Sequence, residues 1–151
     1  MKKNDNEFDL FWEKCVKFAT LRPRSEKELD YWFEKKNIEK VLVQSLKKKL
    51  RDFGLLDDRE FCEWWITQRM EFRPRSRRGL IYELSQKGIK RELVEEVLKT
   101  IDFDEVSLAK KIIEKNSYRW ERLGERDKKR KIGEFLSRQG YSWEVIKKVS
   151  G

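Results

Sequence analysis

The chain has 151 residues, 43% of them charged and 38% hydrophobic, with a net charge of +9. That length allows one ordinary domain or a few small repeats in a row, and 13% aromatic content lets a thin core still bury a large area. There is no histidine and there are two cysteines, so neither a Ser-His nor a Cys-His pair can be built, and a cysteine–histidine zinc site is excluded.

The opening MKKNDNEFDLFWEK lacks a continuous apolar region of signal-peptide length, and no stretch is apolar enough to span a bilayer. Cys15 and Cys62 fall within apolar helical patterns and read as small core residues. A soluble protein of the reducing cytoplasm, not associated with membrane, is the expectation. The excess of positive charge has two readings. One is a polyanionic partner, nucleic acid or an acidic protein surface; the other is that lysine-rich helices are soluble.

In chain order, the first helices are expected at Glu7 to Ala19, Glu26 to Lys36 and Glu39 to Phe53, the last closed by Gly54. Ile38, Leu42, Leu46, Leu50 and Phe53 keep helical spacing there. The next three run from the LLDD opening to about Arg69, from Arg77 to Lys87, and from Lys90 to Ile101. Asp57 and Glu60 have capping-box spacing at the first of these. The remaining helices start near Asp104, break around Gly124, resume to Arg138 and end in a short helix capped by Ser142. Alternating patterns and hairpin dipeptides are absent, so no strand is expected.

These helices belong to an internal repeat. A shift of 51 residues lays RPRSEKELDYWFEKKNI (Arg22 to Ile38) on RPRSRRGLIYELSQKGI (Arg73 to Ile89). A further shift of 52 brings ERDKKRKIGEFLSRQGY (Glu125 to Tyr141) under both. Leu29, Leu80 and Ile132 coincide, as do Phe33, Leu84 and Leu136. Asn37, Gly88 and Gly140 coincide as helix stops. The fold expected is all-α, an elongated array of three tandem three-helix repeats over residues 8–56, 57–103 and 104–151, meeting through Leu29, Leu80 and Ile132.

The two RPRS copies diverge immediately after the serine. Ser25 is succeeded by Glu26 and Glu28, which complete a capping box and suit the positive end of a helix. Ser76 is succeeded by Arg77, Arg78 and Gly79, placing positive charge at a positive helix end. With Arg69, Arg73 and Arg75 this makes an arginine cluster that would suit an anion. Lys128, Lys129, Arg130 and Lys131 occupy the corresponding turn of the third repeat. The alternative reading of both clusters is solvated surface charge. Trp32, Trp64 and Trp65 read as core, and Trp120, beside Arg119 and Arg122, as the exposed tryptophan.

The run GLLDDREFCEWWITQRMEFRPRSRRGLIYELSQKGI, from Gly54 to Ile89, resembles the central signature of the RecX family. RSEKELDYWFEKKNI resembles its first-repeat motif, and GEFLSRQGYSWEVIKKV its last. Asn37 departs from the family's usual glycine there, and the first helix is more aromatic than the family's alanine-rich form. The resemblance implies a non-enzymatic, monomeric negative regulator of the RecA recombinase. Such a protein would dock on the RecA–DNA filament and limit its assembly, ATPase and strand exchange. Weak, non-specific contact with single- and double-stranded DNA is expected too, through Arg24, Arg69, Arg73, Arg75, Arg77, Arg78, Lys128, Lys129 and Arg130, with no cofactor. Two alternatives stand beside it. One is a stand-alone DNA-binding protein; the other, a metal-dependent nuclease, would have to use Asp57, Asp58 and Glu60, which have a plain capping role available.

Overall fold

The structure, a computed structural model, describes residues 2–150; Gly151, the end of the third expected unit, lies outside them. Among the described residues there are nine α-helices, one short 3-10 turn and no strand. The first three helices are α1 (Lys2–Leu21), α2 (Glu26–Lys35) and α3 (Lys40–Asp52). The next three are α4 (Asp58–Phe72), α5 (Arg77–Gln86) and α6 (Arg91–Thr100). Then come α7 (Glu105–Lys115), a 3-10 turn (Ser117–Arg119), α8 (Glu125–Arg138) and α9 (Trp143–Ser150). None of these helices is long and apolar enough to cross a membrane.

Helix ends obey local chemistry. Ser25 accepts the Glu28 N–H while Glu28 returns a bond to the Ser25 N–H, completing the capping box at α2. Asp57 caps α4 through the N–H groups of Arg59 and Glu60, Ser76 caps α5 through that of Gly79, and Asp104 caps α7. Two helices run further than their patterns suggested. α1 reaches Leu21 and α4 reaches Phe72, because only Arg22 and Arg73, directly before Pro23 and Pro74, are turned out of the helical region. In the third unit Gly124 stands at the N-cap of α8, a full turn before the position aligned with Ser76. Lys128 to Lys131 therefore lie within a helix and not in a turn, which corrects the reading of that cluster.

Each three-helix group has its own core. Cys15, Leu29, Phe33, Leu46 and Leu50 cluster in the first. Phe61, Cys62, Ile66, Leu80, Leu84 and Val94 cluster in the second, and Ala109, Trp120, Ile132, Phe135 and Leu136 in the third. Leu29, Leu80 and Ile132 thus lie inside the groups rather than joining them, because helical spacing turns them toward the partner helices of their own unit. Trp120 is buried, 4% exposed, with its ring 5.4 Å from that of Phe135. The exposed tryptophan is Trp143. Cys15 and Cys62 are fully buried, and burial pushes each thiol up to about 12.

What joins the groups is the start of each middle helix. The Glu26 N–H, in the first turn of α2, donates to Asp58 Oδ1 of α4 at 2.8 Å. At the corresponding place the Arg77 N–H of α5 faces Glu105 of α7, near enough to favour its charged form. Burial raises the pKa of both carboxyls, and these backbone N–H groups offset part of the rise. The tail of the next middle helix closes each joint. Gly88, just past α5, has Lys27 Cβ only 2.9 Å from where its own Cβ would stand. Gly140, just past α8, meets Ser76 Oγ at the same distance, and that hydroxyl donates to the Gln139 carbonyl at 3.3 Å. Lys87 adds an ion pair to Glu28 at 3.2 Å. The negative end of each middle helix therefore rests on the positive end of the one before it. The accessible surface, 10731 Å², exceeds the roughly 8,200 Å² of a compact protein of this mass, as an elongated array requires.

Gly140 has φ +93° and no room for a Cβ, so Gly140→Ala should cost more than the ~1–2 kcal/mol of a left-handed alanine alone. Asn37 holds φ +54° at the end of α2, where no preceding group packs against it. Asn37→Gly should leave stability within about 0.5 kcal/mol of wild type. Urea unfolding of the two variants checks the contrast.

Candidate nucleic-acid and filament interface

The two RPRS turns differ in what holds their first arginine. In the first, Arg22 makes two bonds to the Glu28 carboxylate, at 3.2 and 2.5 Å, and its guanidinium lies over Trp64 of α4 at 5.4 Å. Burial pushes the Glu28 carboxyl up, but bonds from Arg22, Ser25 and Lys87 outweigh it and hold the group below its ordinary value. Arg24 stacks on Phe18 at 3.8 Å and donates from Nε to the Phe18 carbonyl at 3.0 Å. Burial lowers its pKa, and so does the charge of Arg22. Both arginines of the first turn are thus engaged within the protein.

In the second turn the position of Glu28 is taken by Gly79, and Arg73 stands where Arg22 stood. Arg73 is exposed and forms no ion pair among the described residues. It lines a groove of about 480 Å³ between the second and third groups. Arg75 comes from the same turn, and Lys115, Tyr118 and Arg119 come from the end of α7 and the 3-10 turn. Ile112 and Phe135 supply apolar floor, and no carboxylate is among the lining residues. Arg119 sits over the Phe135 ring at 5.1 Å, which holds its charge at the rim. Arg73, Lys115 and Arg119 are exposed here, beside an Arg75 that is paired with Glu83, an arrangement suited to phosphates or to an acidic protein surface.

The other basic residues expected in the site go elsewhere. Arg69 pairs with Glu83 at 2.7 Å and lies over Trp65 at 4.8 Å, so it braces the turn from behind. The same Glu83 holds Arg75 Nε at 3.3 Å. Arg77 approaches Glu95 at 3.7 Å; a bond from Arg91, with the nearby positive charges, keeps that carboxyl below its ordinary value. Arg78 is exposed, and no ion pair of its side chain occurs among the described residues. Lys129 and Arg130 line a separate groove beside Trp143, while Lys128 is half-buried. The positive end of α5, where the arginine cluster would suit an anion, is already capped by Ser76 and faced by the Glu105 carboxyl. Lys115 and Tyr118 were not legible as site residues, because only the fold brings them across from Arg73. Asp57 and Asp58 are both spent on backbone N–H groups.

Comparison with known proteins agrees with this architecture. Residues 57–98 match the family description "RecX, second three-helix domain", and residues 104–149 match "RecX, third three-helix domain". The regulatory protein RecX of Pelodictyon phaeoclathratiforme is 32% identical over 132 residues, covering 87% of this chain and 81% of that protein. The protein of the same name from Finegoldia magna is 28% identical, over 98% of this chain and 74% of its own length. With that of Bacillus licheniformis the identity is 30%, and the match spans 89% of this chain but about half, 52%, of the longer relative. The crystal structure of RecX from Lactobacillus salivarius superimposes with a TM-score of 0.82 at 21% identity, over 96% of this chain and 95% of that one.

If Glu83 is the brace of the basic turn, Glu83→Ala leaves the half-buried Arg69 without its anion. It should cost about 1–3 kcal/mol in urea unfolding. Arg73→Ala, which breaks no internal ion pair, should stay within about 0.5 kcal/mol of wild type.

Proposed function

The chain belongs to the RecX family of regulatory proteins, and from that membership we propose that it is a negative regulator of the RecA recombinase. In this reading a monomer of three helical units, near residues 8–56, 57–103 and 104–151, lies along the RecA–DNA filament. It limits the filament's assembly, ATPase and strand exchange, and does so by binding rather than by any chemistry of its own.

The observation that supports the reading most is the groove of Arg73, Arg75, Lys115 and Arg119 with no acid in its lining, in a chain of net charge +9. A nucleoprotein filament offers phosphates and acidic protein together. Cations that replace condensed counterions on phosphates gain affinity without reading sequence. Direct binding to DNA alone is then weak, indifferent to sequence and steeply weakened by salt. The elongated body extends the contact beyond one groove, so the filament is a better partner than bare DNA.

The experiment is inhibition of RecA ATPase on single-stranded DNA. Arg73→Glu combined with Arg119→Glu should weaken inhibition roughly tenfold or more, since each reversal turns an attraction into a repulsion. Lys36→Glu with Lys40→Glu, equal in charge and exposed on the first group, should have much less effect. Gly79→Glu is the finer probe. Its Cβ would come 3.2 Å from Ser76 Oγ, a fit that the first repeat already makes with Glu28 beside Ser25. The new carboxylate would capture Arg73 as Glu28 captures Arg22, so inhibition should fall although no arginine is lost. Inhibition unchanged in both groove variants would remove the groove from the mechanism. DNA binding without any effect on RecA would favour the stand-alone DNA-binding alternative.

A further inference from the structure

A second groove, on the far side of α8, is built differently. It measures about 620 Å³, and its floor is formed by Gly133, Ile146 and the indole of Trp143. Lys129, Arg130 and Arg138 stand around it. Trp143 is 68% exposed, and the other five tryptophans are buried or partly buried. The ring is nevertheless firmly based. It stands at the first position of α9, where Ser142 Oγ accepts the Val145 N–H at 3.3 Å. One turn on, Ile146 is buried in the third core. Gly133 projects no side chain over the floor.

Arg130 and Arg138 are two helical turns apart on α8, roughly 12 Å, and both line the groove together with the indole. The one carboxylate of the groove, Glu134, lies 3.8 Å from Lys131. Asp127 lies 3.6 Å from Arg130, both of them largely exposed, and such a pair yields readily to a stronger anion. A flat apolar face in a groove that positive charges also line matches a planar ring carried on an anionic backbone. An amphipathic peptide helix would instead need a row of apolar anchors, and here one indole is exposed. Duplex DNA keeps its base faces covered, whereas single strands offer them.

The geometry points to Trp143 as a base-stacking platform, with Arg130 and Arg138 as phosphate contacts, in a site selective for single-stranded nucleic acid. The inference rests on the proposed contact with nucleic acid but requires no RecA, so the two are separable: one is read on DNA alone, the other in the ATPase assay. The test uses the full chain, a short oligothymidylate and a duplex. Oligothymidylate should quench Trp143 emission. Trp143→Ala should abolish that quenching and weaken oligothymidylate binding roughly tenfold, since stacking contributes at that scale. Duplex binding should be spared and the circular dichroism unchanged. Trp143→Phe should restore part of the loss, and Arg138→Ala should weaken both ligands. The proposal is overturned if Trp143→Ala binds oligothymidylate like wild type, or loses both ligands equally. It is also overturned if wild type binds no oligothymidylate, or if oligoglutamate quenches Trp143 equally well, which would mark the groove as a seat for acidic peptide.

Discussion

A helix that starts inside a protein leaves backbone N–H groups that must find acceptors, and the way α2 and α5 meet this demand organises the molecule. Each takes one acceptor from its own serine, and a carboxylate of the next group stands at the same end: Asp58 accepts the Glu26 N–H of α2, and Glu105 faces the Arg77 N–H of α5. The glycine ending the next middle helix then fits where a side chain could not. A polar requirement of single helices thus becomes the joint between groups, and it fixes spacing and direction together. The apolar clusters stay separate, one to each group, so the array is held by helix ends more than by a shared core.

The same joint determines which charges remain available for a partner. Carboxylates around the first turn are committed: Glu28 to Arg22 and Lys87, Asp58 to a backbone N–H. At the second turn the loss of one carboxylate, Gly79 in place of Glu28, leaves Arg73 outward. Closure of the joint by Gly140 brings the end of α7 and the 3-10 turn opposite it. The groove is therefore a by-product of assembly. Its charge comes from a missing internal partner, and its shape from the contact between groups.

Much of the architecture was legible in the chain, because helix caps, left-handed stops and apolar spacing are local signals. Ser25, Asp57 and Ser76 act as caps, and Asn37, Gly88 and Gly140 take positive φ, each as its neighbours suggest. Contacts between distant residues were not legible. Nothing near Glu83 announces that it holds both Arg69 and Arg75, and nothing near Asp58 says that it serves α2 rather than α4. The tryptophans show the same limit. Flanking arginines made Trp120 look exposed, yet its ring fills the third core, while Trp143, one residue past a cap, faces solvent. The third unit shows it too: the break expected around Gly124 is there, but Lys128 to Lys131, aligned with the end of the RPRS turn and what succeeds it, lie inside α8.

The central claim is that the face between the second and third groups is the one turned to the filament. Hydrogen–deuterium exchange of the protein, free and bound to RecA assembled on single-stranded DNA, addresses it most directly. The account predicts slowed exchange in the turn around Arg73 to Arg75 and in the segment from Lys115 to Arg119, with the outer face of α3 unchanged. Protection confined to the first group, with exchange at those two segments as fast as in the free protein, would contradict it.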